Sequence, residues 1–210
     1  MNNTFIKICS VKEKNIAKFV SKNKVNFIGF NFYPSSPRYI SPDKAKKIIK
    51  SIKKYDIKKV GVFVNQDMAE VVEIYNQLKL DYIQLHGNES KDYIKQFKDC
   101  NLIKAIQIKD STTKKDLKKY SLPQVKYLLI DTFKKDQFGG TGETFNWKKH
   151  EYLKNMDNII IAGGLNEDNV VSAKNYFNPA GLDINSGVEK APGVKSKHKI
   201  KRILKLLRRE

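Results

Sequence analysis

The sequence has little cysteine, and what it has is poorly placed for metal or disulfide chemistry. Cys9 and Cys100 stand far apart, with no CxxC context. His86, His150 and His198 are equally scattered, so no metal-ligand spacing is present, and neither a metal nor a cofactor is expected. Unpaired thiols fit a reducing compartment, which makes a cytoplasmic location the default. Long apolar runs are missing too, and with them any candidate membrane span. Met1 to Ile8 lacks a charged segment followed by an apolar stretch, so export is not expected. Acidic residues are outnumbered 22 to 41, leaving a formal charge of +19. Such a balance invites a nucleic-acid reading. The basic residues are mostly lysine, however, and run along the whole chain instead of massing in one arm. We read the excess of lysine over arginine as compositional drift, its positive field attracting an anionic substrate, with no specific nucleic-acid partner.

No linker or composition break divides the 210 residues, which suffice for one domain, 1–210, with a sizeable core. Short apolar segments alternate with amphipathic ones from end to end. Candidate strands are Phe5–Cys9, Phe27–Phe30, Lys59–Val64, Tyr82–Leu85, Leu102–Ile108, Tyr127–Asp131, Asn158–Ala162 and Gly181–Ile184. Runs such as Tyr127-Leu128-Leu129-Ile130 do not alternate in polarity, as expected of parallel strands covered on both faces. Between them, Ala45, Ile48, Ile49 and Ile52 share one helical face, as do Met68, Val71, Val72 and Tyr75, and again Ile200, Ile203, Leu204 and Leu207. A helix near Thr113–Lys119 is the least marked. Eight strand–helix pairs predict an α/β fold, a single-domain (β/α)8 TIM barrel. An open doubly wound sheet is the alternative. It calls for a glycine-rich fingerprint after the first strand, where this chain has Cys9-Ser10.

The last two strands carry the clearest signal. Ile159-Ile160-Ile161 releases into Ala162-Gly163-Gly164-Leu165-Asn166, and Leu182-Asp183-Ile184 into Asn185-Ser186-Gly187. Two consecutive strand ends with small residues predict one shared phosphate cradle, which barrels of this kind often place there. The C-terminal ends of the other strands bring Cys9, Arg38, His86 and Asp131 to the same mouth. Taken singly, Cys9 reads as core, Arg38 as a surface charge, Asp131 as a turn cap, and Gly163-Gly164 as a tight turn. His86 reads as a residue that hydrogen-bonds a neighbour. Their convergence on one predicted face argues for a site.

The chain resembles the phosphoribosylanthranilate isomerases of tryptophan biosynthesis. The resemblance is carried by Lys7-Ile8-Cys9, by Gly29 through Pro42, by Val60 through Asn65 and by Gln84-Leu85-His86-Gly87. It continues through Leu129-Ile130-Asp131-Thr132, Gly139-Gly140-Thr141-Gly142, Ala162-Gly163-Gly164-Leu165 and Asp183 through Gly193. It implies an Amadori rearrangement of N-(5-phosphoribosyl)anthranilate to 1-(2-carboxyphenylamino)-1-deoxyribulose 5-phosphate, without cofactor or metal. It implies Asp131 as general acid and Cys9 as general base. Substrate binding would fall to Arg38, His86, Gly163, Gly164, Asp183, Asn185, Ser186 and Gly187, with Arg38 on the anthranilate carboxylate. A free thiol, with a pKa of about 8.5, is mostly protonated at neutral pH, so a base at Cys9 calls for positive charge nearby. The stretch 136–142 would fold over the substrate, and the protein would be a monomer or homodimer. One departure stands out. The family has glycine directly after the cysteine, and this chain has Ser10. Because Cys9 is retained, the change is read as tolerable.

The competing readings are weaker. A histidine-pathway isomerase would need paired carboxylates at the ends of strands one and five, where this chain offers Cys9 and Gln107–Ile108. A basic RNA-binding scaffold would have no need of Cys9 and Asp131 at separate strand ends.

Overall fold

The computed structural model describes residues 4–132 and 144–208. The 136–142 stretch expected to cover substrate lies outside the described residues. Eight parallel strands close into a barrel in chain order. They are β1 (Phe5–Ile8), β2 (Phe27–Asn31), β3 (Lys58–Phe63), β4 (Tyr82–Leu85), β5 (Leu102–Ile108), β6 (Val125–Thr132), β7 (Ile159–Ile161) and β8 (Gly181–Ile184). The closing seam pairs β1 with β8 over four residues, from Phe5↔Gly181 to Ile8↔Ile184, which excludes the open sheet. Every expected strand is present, with ends moved by one or two residues: Cys9 lies just past β1, and β6 starts at Val125.

Helices cover the outside: α1 (Lys14–Lys22), α2 (Pro42–Ile52), α3 (Met68–Leu78), α4 (Lys91–Lys95), α5 (Lys114–Lys118), α6 (Val170–Phe177) and α7 (Lys197–Leu207). Their starts follow local chemistry. Pro42 opens α2 directly after Ser41. Asp67 caps α3 by accepting from the Ala69 N–H at 2.8 Å. The short α5 is held by a capping box between Thr113 and Asp116, which explains how so weakly patterned a segment forms a helix. Between β6 and β7 the chain forms a 3₁₀ segment, Trp147–Asn155, where non-helical backbone at His150 breaks the regular helix. After β8 comes a 3₁₀ turn at Ser186–Val188, then a small hairpin of β9 (Glu189–Ala191) and β10 (Val194–Lys195). The sequence patterns did not predict that hairpin.

Strand periodicity sorts the core into two parts. Inside the barrel, Val60, Ile103, Ala105, Leu129, Ile160 and Ala162 pack with Phe27, Phe5, Tyr82 and Tyr127. Outside it, Ile6, Ile8, Ile28, Phe30, Leu128, Ile130 and Ile161 meet the buried helix faces, among them Ala45, Ile48 and Ile52, and Ile200, Ile203 and Leu204. Among the described residues no helix is long and apolar enough to cross a membrane. The polar residues at inward positions therefore lie above an apolar plug, at the C-terminal ends of the strands.

Candidate active site

Cys9, one residue past β1, continues the inward series Phe5, Lys7. Its position depends on a neighbour without a side chain: a Cβ on Gly29 would stand 2.8 Å from the Cys9 sulfur and 3.1 Å from its Cα. The next residue, Ser10, is buried and has φ +57°, in the left-handed region. Its hydroxyl donates to the Cys9 sulfur at 3.7 Å.

Below the thiol lies Lys7, fully buried, with its ammonium 2.6 Å from Asp183 Oδ2 on the neighbouring strand. The register explains the pairing, since Lys7 and Asp183 are direct partners across the barrel seam. Burial pushes the Lys7 ammonium down, but Asp183 and the nearby Cys9 outweigh it and hold Lys7 above the ordinary lysine value. The Lys7 ammonium thus sits one inward step below the sulfur.

Asp131 reaches the same cavity from β6, three strands from β1 around the wall. Its Oδ1 accepts the Thr132 N–H at 2.8 Å and its Oδ2 lies 3.1 Å from His86 Nε2. The other ring nitrogen of His86 meets the Gln84 amide nitrogen at 2.8 Å. The imidazole thus bridges the Gln84 amide and the Asp131 carboxyl group. His86 therefore holds the carboxyl group, as its reading from sequence anticipated.

The two predicted phosphate turns pack against each other. Gly163 and Gly164 have φ of +76° and +63°. A Cβ on Gly163 would strike Thr132 and approach Asp131 Oδ1 at 3.0 Å. A Cβ on Gly187 would strike the Leu165 carbonyl, so this glycine lets the two turns close on one another. Gly187 is not among the residues that line the cavity. The other expected site residues, Cys9, Arg38, His86, Asp131, Gly163, Gly164, Asp183, Asn185 and Ser186, all line one cavity.

Arg38 is not the exposed charge of its bland reading. It is buried, and its Nε and Nη2 donate to the Glu189 carboxylate at 3.1 and 2.8 Å. On the far side of Glu189, Lys195 Nζ binds Oε1 at 2.9 Å and also reaches Asn185 Oδ1 at 2.6 Å. Burial drives Lys195 below the ordinary lysine value, opposed by Glu189. Burial also works to raise Glu189, but the Arg38 hydrogen bonds and the Lys195 charge outweigh it and hold the carboxyl below the usual range.

Lys195 escaped the sequence reading, and Glu189, Lys7 and Gln84, though within segments that carry the resemblance, were not expected as site residues. For the last two a signal existed, because both stand two residues before a chosen residue on the same strand face. The wall also includes Asn31, Ser36 and Leu165.

The comparisons with known proteins converge. The family model for N-(5'-phosphoribosyl)anthranilate (PRA) isomerase matches residues 6–206. The chain is 39% identical over 206 residues to the N-(5'-phosphoribosyl)anthranilate isomerase of Syntrophus aciditrophicus, covering 98% of this chain and 88% of that one. In structure it is similar to the dimeric phosphoribosylanthranilate isomerase of Thermotoga maritima, solved as generated monomers, with a TM-score of 0.82 and 29% identity over 99% of this chain and 100% of that one. It is equally similar to a phosphoribosylanthranilate isomerase in complex with reduced 1-(o-carboxyphenylamino)-1-deoxyribulose 5-phosphate, with a TM-score of 0.82 and 28% identity over 99% and 100% of the two chains.

Proposed function

The chain belongs to the N-(5'-phosphoribosyl)anthranilate isomerase family, and on that premise we propose that it performs the Amadori rearrangement with Asp131 as general acid and Cys9 as general base. The substrate N-(5-phosphoribosyl)anthranilate is an aminoaldose in its ring form. Asp131 gives its proton to the furanose oxygen, the ring opens, and a Schiff base forms between C1 and the anthranilate nitrogen. Cys9 then takes the proton from C2, giving an enolamine. Return of a proton to C1 and loss of the hydroxyl proton at C2 yield the aminoketose. C2 is oxidised and C1 reduced within one molecule, so no external electron carrier is consumed.

The observation that carries this reading is the shared cavity: a thiol and a carboxyl group from separate strand ends face it together with the paired small-residue turns. The supporting groups fit their tasks. Lys7 supplies positive charge beside the sulfur that must accept a proton. His86, oriented by Gln84, holds the Asp131 carboxyl in place. The remaining donors of Arg38 suit the anthranilate carboxylate. Backbone N–H groups at Gly163, Gly164 and Ser186, with Asn185, suit the phosphate. Asp183 stands on the cavity wall, and its Oδ1 is buried with no partner among the described residues, which suits a sugar hydroxyl. The whole chain, 1–210, then acts as one catalytic domain, placed in the cytoplasm, and a homodimer is the assembly carried forward from the Thermotoga relative.

A coupled assay of the purified protein on freshly made phosphoribosylanthranilate tests the reading. Turnover that is lost in both Cys9→Ala and Asp131→Asn supports it. Turnover that survives in either variant removes that residue from its role.

A further inference from the structure

We propose that Glu189 is a positioning residue that sets the carboxylate grip of Arg38 and, through Lys195, ties that grip to the phosphate turn. The proposal rests on the reading that Arg38 takes the anthranilate carboxylate and Asn185 lies at the phosphate.

Glu189 is fixed from two sides. Arg38 donates to it through Nε and Nη2, the edge of the guanidinium best suited to a carboxylate. Lys195 holds Oε1 from the other side. With that edge occupied, the Nη1 end of Arg38, which hydrogen-bonds nothing among the described residues, is left for the cavity that Arg38 lines. Lys195 extends the chain of contacts to Asn185, donating to both its side-chain oxygen, at 2.6 Å, and its backbone carbonyl, at 2.9 Å. Local structure fixes the spacing. Glu189 and Lys195 are cross-strand partners in the β9–β10 hairpin, so their side chains meet beneath the loop that follows β8. One buried carboxylate therefore links residue 38, beyond β2, to residue 185, beyond β8.

The charges make the proposal decidable by sign. Arg38, Glu189 and Lys195 together carry one net positive charge. Replacing Glu189 by Gln raises that charge and by Coulomb attraction alone would tighten binding of a dianionic substrate. If orientation governs, the same change loosens binding, because Arg38 loses its fixed edge.

The experiment measures kcat and KM with phosphoribosylanthranilate, and the dissociation constant of reduced 1-(o-carboxyphenylamino)-1-deoxyribulose 5-phosphate, for wild type, Glu189→Gln, Glu189→Asp, Lys195→Met, Arg38→Ala and the Arg38→Ala/Glu189→Gln double variant. We expect Glu189→Gln to raise KM and the dissociation constant about tenfold or more, with a smaller loss in kcat. Glu189→Asp should recover part of the loss. Glu189→Gln should add little once Arg38 is already Ala, because it acts through Arg38. An unchanged or lower KM in Glu189→Gln overturns the proposal, as does a full additional loss in the double variant. Should Glu189→Gln fail to fold, Lys195→Met decides, and an unchanged KM there is equally fatal. If instead Arg38→Ala leaves binding untouched, it is the assignment of Arg38 to the carboxylate that fails.

Discussion

The two ends of the barrel are built on opposite plans. The floor is aromatic. The rings of Phe5, Phe27, Tyr82 and Tyr127 pack with centroids 4.3 to 6.4 Å apart. Gly181 belongs to this floor because a Cβ there would strike the Phe5 ring. The mouth is polar, and its ionisable groups come in pairs or triplets: Lys7 with Asp183, His86 with Asp131, Arg38 with Glu189 and Lys195. Left-handed backbone occurs at both ends, at Ser10, Gly163 and Gly164 in the mouth and at Lys24, Lys79 and Asn178 in the turns that lead into β2, β4 and β8. Apolar rings need no partners to be buried stably, whereas every buried polar group must be paired. The floor can thus be spent on stability, and the mouth on holding groups where a reaction needs them. The difference teaches that substitutions at the two ends should move different measurements.

The largest expected separation lies at the reacting groups. Cys9→Ala and Asp131→Asn should each cost kcat about 10²–10⁴-fold or more, the usual contribution of a general acid or base. Their thermal midpoints should move by no more than a few degrees. The opposite result belongs to the floor. Phe27→Ala should destabilise the protein by about 3–5 kcal/mol, while kcat of the folded fraction at low temperature stays within about twofold of wild type. A Phe27 variant that folds well and loses turnover would break the division between the two ends.

The same division explains what the sequence made legible. The strands were readable because runs such as Leu128-Leu129-Ile130 are apolar on both faces, a pattern only doubly covered strands require. The helix faces were readable from spacing alone. At the mouth, strand ends located Cys9, His86, Asp131 and the glycine turns. The supporting pairs stayed hidden for a physical reason. A lysine in sequence reads as solvated, yet Lys7, Lys104 and Lys195 are all buried. Each is neutralised by a carboxylate that only the fold brings near: Asp183 across the barrel seam, Glu89 from the β4–α4 loop at 2.7 Å, and Glu189 across a short hairpin. Seam closure and hairpin register are tertiary facts, and no local pattern announces them. Gly29 was missed likewise, because its role lies in the space it leaves for Cys9.

An effect of intermediate size is expected at the phosphate turn. Gly164→Asp places negative charge where the phosphate is proposed to bind, and it also forces a side chain onto a backbone at φ +63°. Gly164→Ala carries the same backbone strain, about 1–2 kcal/mol, without the charge. KM should therefore rise about tenfold or more in the Asp variant relative to the Ala variant, with similar thermal midpoints for the two. Equal KM values would mean that the turn matters to folding alone, and the mouth would then resemble the floor at this position.

The smallest expected effect falls at Ser10, where the two plans meet in one residue. A serine at φ +57° is strained in a way glycine is not. Ser10→Gly should relieve about 1 kcal/mol, which for a chain of this size raises the thermal midpoint by about 2–4 °C. The substitution also removes the hydroxyl that donates to the Cys9 sulfur. At 3.7 Å that contact is long, and the Lys7 ammonium remains beside the sulfur. We therefore expect kcat to stay within about threefold of wild type. Ser10→Ala separates the two contributions, since it keeps the backbone strain and removes only the hydroxyl. If both variants lose kcat by more than tenfold, the hydroxyl holds the thiol for proton abstraction, and its strained backbone is retained for that contact. If Ser10→Gly gains stability and both variants keep their turnover, Ser10 is a tolerated replacement whose cost is carried by the rest of the fold, with the aromatic floor contributing much of that reserve.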